Sequence, residues 1–250
     1  MLTKVKTAQE IVAMRESGRQ LATVLQYLSE EITPGMTTKD LADLAAAKLK
    51  QLGGKPAFLG YYGFPDVLCV SVNSEVVHGI PGNYVIQDGD IVSMDFGVVV
   101  DKMITDGAIT VVAGTTKNQK VSKLISATEQ SLYAGIEQLK GGVRVGTVAN
   151  AIEKVLKKQQ LGIVRDLVGH GVGHELHEDP NIPNYGQAQT GPVLQAGMTI
   201  AIEPMATLGT EKVYCDRDGW TIKTADDSLA AHFEHTILIT EHGYEILTQL

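Results

Sequence analysis

The sequence predicts a mixed α/β protein built as an internal repeat of two halves, each a helix pair followed by strands. Three observations carry this. Two pairs of amphipathic helix patterns occur in the same order, each helix halted by glycine or Pro-Gly. The stretch QDGDIVSMDF (87–96) aligns without a gap on QAGMTIAIEP (195–204), setting Gly89 on Gly197, 108 positions downstream. Each strand copy also places an acid at the equivalent point, Asp95 in the first and Glu203 in the second.

Taken in order, a Thr7-x-x-Glu10 capping box opens a helix that runs to about Ile32 and stops at Pro34-Gly35. A second helix is expected from about Thr38 to Leu52, ended by Gly53-Gly54. Their counterparts run from about Lys117 to Lys140, halted by Gly141-Gly142, and from about Val148 to Leu161 before Gly162. The chain then reads as a single domain, 1–250, of two related halves at approximately 7–113 and 114–250.

The strands contain acids where apolar residues belong. A lone buried carboxylate costs several kcal/mol unless it is paired or bound to a metal. In IVSMDFGVVVDKMITDGAITVV, Asp95 and Asp106 are equidistant from a turn near Val100-Asp101, which predicts that they face each other across a hairpin. Two ionised carboxylates so placed repel, and either a divalent cation or a salt bridge must relieve them. In AAHFEHTILIT (230–240), alternation puts His232, Glu234 and Thr236 on one face and Phe233, His235 and Ile237 on the other.

The stretch GHGVGHELHEDP (169–180) invites comparison with the zinc helix His-Glu-x-x-His. The comparison fails, because Gly169, Gly171 and Gly173 disfavour a helix and Glu175 follows the second histidine. Extended or irregular backbone is expected instead, with His170, Val172 and His174 on one face and close approach at the glycines.

Composition narrows the function. With 250 residues, 44% apolar and 20% charged, the chain can bury a large core. A net charge of −8 argues against coating nucleic acid or anionic membrane. No secretory signal or membrane-span pattern is present, which predicts a cytoplasmic protein. Cys69 and Cys215 are too few for a disulfide scaffold or a cysteine-built zinc site, so any metal must rely on histidine and carboxylate.

The ordered motifs CVSVNSEVVHGIP, MDFG, TDGA, GHGVGHELHEDP, IEP and HFEHT closely resemble those of the type I methionine aminopeptidases of peptidase family M24, over nearly the whole chain. The resemblance implies the pita-bread fold, a pseudo-twofold curved antiparallel sheet covered by helices, and a pair of divalent ions. It implies Asp95 as a bidentate ligand of one ion, Asp106 and Glu234 as bridging carboxylates, and His170 and Glu203 as ligands completing the other site. Such a donor set suits Mn, Fe or Co, with Zn as a further choice, and does not select among them. Two such ions would bring a shared water toward a pKa of ~7.

By the same resemblance Glu203 handles that water's proton, His177 hydrogen-bonds the scissile carbonyl, and His78 contacts the leaving side of the peptide. A free N-terminus would bind the second ion, which accounts for exopeptidase action. The methionine pocket would draw on Phe58, Tyr61, Phe64, Cys69, Leu176 and Trp220, with His78 and His177 as further substrate-binding residues; taken singly, Phe58 and Leu176 fit core packing equally well. The implied substrate is the N-terminus of a nascent polypeptide with a small second residue. The expected assembly is a monomer acting near the ribosome, with no membrane partner and no direct nucleic-acid specificity. Lacking a zinc-finger or proline-rich extension, the chain reads as a bacterial or organellar short form.

Three positions depart from the family pattern: His174 where arginine is common, Tyr62 where histidine is frequent, and His232 where glutamine usually precedes Phe-Glu-His-Thr. His174 and His232 are candidates for extra imidazoles near the site. Two other readings are an X-Pro peptidase of the same fold, whose members usually carry an additional N-terminal domain, and a binding module that has lost its ligands. The first is disfavoured because the chain starts at the first helix, the second because all five ligand positions are filled.

Overall fold

A computed structural model describes residues 5–250. Helix α1 spans Ala8–Glu31, with Thr7 accepting from the Glu10 N–H and Glu10 returning the bond to Thr7, as the capping box predicts. Helix α2 spans Thr38–Leu52 and ends on Gly53, whose φ of 90° only glycine adopts readily. Helix α3 covers Gln119–Ile136, shorter than predicted because the chain tightens into turns through Leu139.

Helix α4 covers Val145–Lys158, beginning three residues before the expected Val148. Gly146 lies inside its first turn at a point of close approach, where a Cβ would run into the Gln187 carbonyl oxygen. The earlier start improves the repeat. Isolated bridges Thr37–Val85 and Arg144–Val193 precede α2 and α4 alike, and Gly89 and Gly197 share left-handed φ values of 91° and 86°.

Each half buries its own apolar core. Leu21, Leu28, Leu41 and Leu49 pack on Met94, Phe96 and Val98 in the first. Leu124, Leu132, Val148 and Ile152 pack on Ile200, Ile202 and Ile237 in the second. Helices thus cover the outer face of the strands, and the inner face is left for polar side chains.

In the first half, strand Ile91–Val100 pairs with Met103–Val112 and with Cys69–Val72. The hairpin turn lies at Asp101-Lys102, both with positive φ, one residue beyond the predicted position. That moves the register by two: Asp95 pairs with Ala108, and Asp106 pairs with Gly97. The two acids are therefore diagonal neighbours on one face, not direct partners. Gly97 is required opposite Asp106, since a Cβ there would meet the Phe58 ring at 2.7 Å.

In the second half, strand Thr199–Ile202 lies between His235–Ile239 and Gly169–Gly171, with Glu178–Ile182 outside the latter. The segment 230–240 is interrupted between Ala230–His232 and His235–Ile239, yet His232 and Glu234 keep the predicted common face.

The two halves join along a seam centred on reciprocal backbone bonds between Ala108 and Glu234. On one side the Thr236 hydroxyl accepts from the Asp106 N–H and donates to its carbonyl; on the other, the Thr110 hydroxyl does both for His232. These positions are symmetric about the Ala108–Glu234 bridge. Thr236→Val leaves both Asp106 backbone groups without a partner and is expected to cost about 2–4 kcal/mol, with Thr236→Ser costing much less. Urea unfolding of the metal-free variants measures this, and equal stability of Thr236→Val and the parent would remove the seam's energetic role.

Candidate metal centre

On the inner face, the strand ends of both halves bring three buried carboxylates, the half-buried Glu203 and a histidine together. Asp95, Asp106 and Glu234 are buried, and Glu203 follows strand Thr199–Ile202 directly. Asp106, His170 and Glu234 each offer a donor atom, all within 4.8 Å of one another. His170 Nε2 is 3.5 Å from Glu203 Oε1, while its Nδ1 is held at 2.9 Å from the Gly171 carbonyl. That fixes the ring with Nε2 aimed at the acids.

Electrostatics show what the cluster lacks. Burial, then the neighbouring carboxylates, pushes Asp106 up to about 8 and Asp95 and Glu234 well above the usual range. Burial raises Glu203 to about 8 and lowers His170 to about 3. Among the described residues, Asp95 Oδ1 and Glu234 Oε1 are buried with no hydrogen-bond partner. No lysine or arginine answers these acids in the described ion pairs. Oxygen donors with one imidazole, orphaned and charge-starved, are the environment a divalent cation satisfies.

The acids form the floor of a cavity of about 190 Å³ whose walls include Phe58, Tyr61, Phe64, Cys69, Leu176 and Trp220. Every residue expected at the site thus reaches one cavity, His78 and His177 included. Phe64 meets Phe58 and Trp220 edge-on, at ring separations of 6.5 and 5.2 Å. The Cys69 thiol, buried beside Asp95, is pushed up well above its ordinary value and stays protonated. His78 adopts φ 60°, an uncommon conformation for a side-chain-bearing residue, and burial lowers it to about 4.

His177 is placed by the loop before strand Glu178–Ile182. Glu178 ties that loop down: it pairs with buried Lys6 at 2.7 Å and accepts from the His174 and Glu175 N–H groups. The His177 ring lies 4.3 Å from that of His170, and its Nδ1 is 2.8 Å from the Tyr61 hydroxyl. Partial burial against the cavity wall lowers its pKa, which favours the neutral ring.

The chain matches the model of metallopeptidase family M24 over residues 12–241. It belongs to that family. It is 45% identical to methionine aminopeptidase 1 of Bacillus subtilis, covering 98% of each chain, and 42% identical to the methionine aminopeptidase of Aquifex aeolicus over the full length of both. The solved methionine aminopeptidase of Thermotoga maritima superposes with a TM-score of 0.97 at 46% identity over 100% of both chains. A Pyrococcus furiosus prolidase superposes at 0.79 and 25% identity, with 65% of its chain covered. These likenesses bear out the resemblance to the type I enzymes and the pita-bread fold, and the M24 assignment makes the chain a metal-dependent hydrolase.

Two expectations about His174 need correction. His174 does not share a face with His170, because the strand ends at Gly171 and the chain turns at Gly173, where Lys6 packs against the missing side chain. His174 Nε2 instead bonds Glu10 at 2.7 Å, away from the cavity. Tyr62, noted as a departure from the family pattern, lines the cavity mouth against Tyr61 and is 86% exposed. The Tyr61–His177 bond was not read from the sequence, since no local spacing links positions 116 residues apart. Among the described residues, no helix is long and apolar enough to cross a membrane.

Proposed function

We propose that the protein is a dinuclear-metal methionine aminopeptidase that removes the initiator methionine from nascent polypeptides with a small second residue. The observation that carries this reading is one cavity with orphaned carboxylates as its floor and an aromatic, sulfur-lined wall. Asp95, Asp106, His170, Glu203 and Glu234 would hold two divalent ions. When bound, these supply Lewis-acid polarisation and a water acidic enough to ionise near neutral pH.

The chain's own residues do the rest. Glu203 accepts a proton from the attacking water and passes it to the leaving amine. The neutral His177 presents Nε2 to the cavity, because the Tyr61 hydroxyl occupies Nδ1. With Tyr61 donating, that Nε2 carries a proton and donates to the scissile carbonyl oxygen as charge develops there. His78 contacts the peptide on the leaving side. Phe58, Phe64, Cys69, Leu176 and Trp220 enclose the thioether, which gains from aromatic contact. The aromatic mouth at Tyr61 and Tyr62 disfavours a bulky second residue. In this reading residues 1–250 act as one catalytic domain of two halves, a cytoplasmic monomer working near the ribosome.

The deciding assay strips the protein of metal and reconstitutes it separately with Mn, Fe, Co and Zn. Free amino-acid release is then followed from Met-Ala-Ser, Met-Leu-Ser, Leu-Ala-Ser and Ala-Pro peptides. Metal-dependent release confined to Met-Ala-Ser is expected. Preferential cleavage of Ala-Pro would place the protein with the X-Pro peptidases, and inactivity of the folded protein with every metal would point to a binding module.

A further inference from the structure

We propose that His232 is a further metal ligand of this centre, giving it a second imidazole opposite His170. The inference rests on the metallopeptidase reading and adds to it a residue outside the five-ligand set. His232 is 1% exposed, and among the described residues neither ring nitrogen has a hydrogen-bond partner. An imidazole buried in that state is costly unless something engages it. Its Nε2 points into the carboxylate cluster, 3.6 Å from Glu203 Oε2 and 4.0 Å from Glu234 Oε2.

The separation from Glu203 identifies the relation, the 4.0 Å to Glu234 being longer than two donors on one ion would show. A hydrogen bond from a ring N–H to a carboxylate spans about 2.7–3.2 Å. Two donor atoms each about 2.1 Å from one ion and 90–120° apart are about 3.0–3.6 Å from each other. The His232–Glu203 distance of 3.6 Å lies in the second range, as does the 3.5 Å from His170 Nε2 to the other Glu203 oxygen. Glu203 is thus flanked on both oxygens by imidazole nitrogens at matching distances.

The position is also held firmly. The His232 carbonyl and N–H are both bound by the Thr110 hydroxyl at the seam, which fixes the backbone beneath the ring. A second nitrogen donor shifts the site's preference away from Mn and toward Co and Zn.

The test loads metal-stripped protein with Co²⁺ alone and records paramagnetically shifted, exchangeable imidazole N–H resonances and the visible d–d spectrum. Two shifted imidazole signals are expected, one lost in His170→Gln and the other in His232→Gln. His232→Gln should also change the d–d band and weaken Co²⁺ binding by about tenfold or more. A single signal in the parent protein, with Co²⁺ bound, overturns the proposal, and that count stands even if a variant fails to fold. Failure to bind Co²⁺ at all overturns the metal-centre reading together with it.

Discussion

Asp106→Asn is expected to abolish peptide hydrolysis, by at least about 1000-fold, while making the metal-free protein more stable above pH 6.5. The two effects share one cause. The carboxylates are buried together, and burial raises Asp106 and Glu203 to about 8 in the fold against ordinary values of 3.8 and 4.5. A folded-state value above the unfolded one means stability that is fully present below the unfolded value and lost as pH rises through about 8. The buried histidines act oppositely: burial lowers His170 and His232 to about 3 and His78 to about 4, so their neutral forms favour the fold above pH 6.5 and oppose it as pH falls through that window. From pH 6.5 upward the acids therefore dominate, and the metal-free protein should melt at progressively lower temperature.

Asparagine removes one ionisation and keeps an oxygen to accept the Gly107 N–H that Asp106 now binds. At pH 8 the metal-free variant should melt at least roughly 3 °C above the parent, the shift that about 1 kcal/mol produces in a chain of this size. Excess metal should reverse the ranking by stabilising only the parent. Calorimetry across pH 6–9, with and without metal, checks this. A variant melting below the parent at pH 8 without metal would show that strain between the acids is relieved some other way.

His177→Ala is expected to lower kcat about 100- to 1000-fold, with KM changed much less, because a donor aimed at developing negative charge acts chiefly in the transition state. Tyr61→Phe should reproduce a smaller part of that loss. It leaves the aromatic wall in place and removes only the hydroxyl that holds His177 Nδ1 at 2.8 Å. Steady-state kinetics on Met-Ala-Ser separates the outcomes: a rise in KM at constant kcat in both variants would reassign the pair to substrate binding.

How far the sequence reaches depends on whether a feature is local or long-range. The Thr7–Glu10 cap and the Gly53 stop are local, and each lies where the sequence predicts; the aligned Gly89 and Gly197 prove to share a left-handed φ. The parity of His232 and Glu234 also survives the break in their strand. The Asp95–Asp106 register does not, because a one-residue displacement of the turn moves the pairing by two while leaving the face unchanged. His174 was misplaced because alternation was extended past Gly171, where the strand has ended. The pairs Tyr61–His177 and Lys6–Glu178 join segments 116 and 172 residues apart, and nothing in their local sequence announces them.

The threonine-stitched seam sets the order in which the molecule can assemble. Its bonds close over 130 residues at Asp106–Thr236 and 122 at Thr110–His232. Contacts so distant along the chain carry a large loop-closure cost and form after local structure is in place. Residues 5–113 can build their helices and hairpin early, yet Ala108 then lies on an open strand edge and Asp95 and Asp106 face no partners from the other half. If the first half of the chain folds ahead of the second, it exposes that strand edge and those two acids together until segment 230–240 docks and closes both at once.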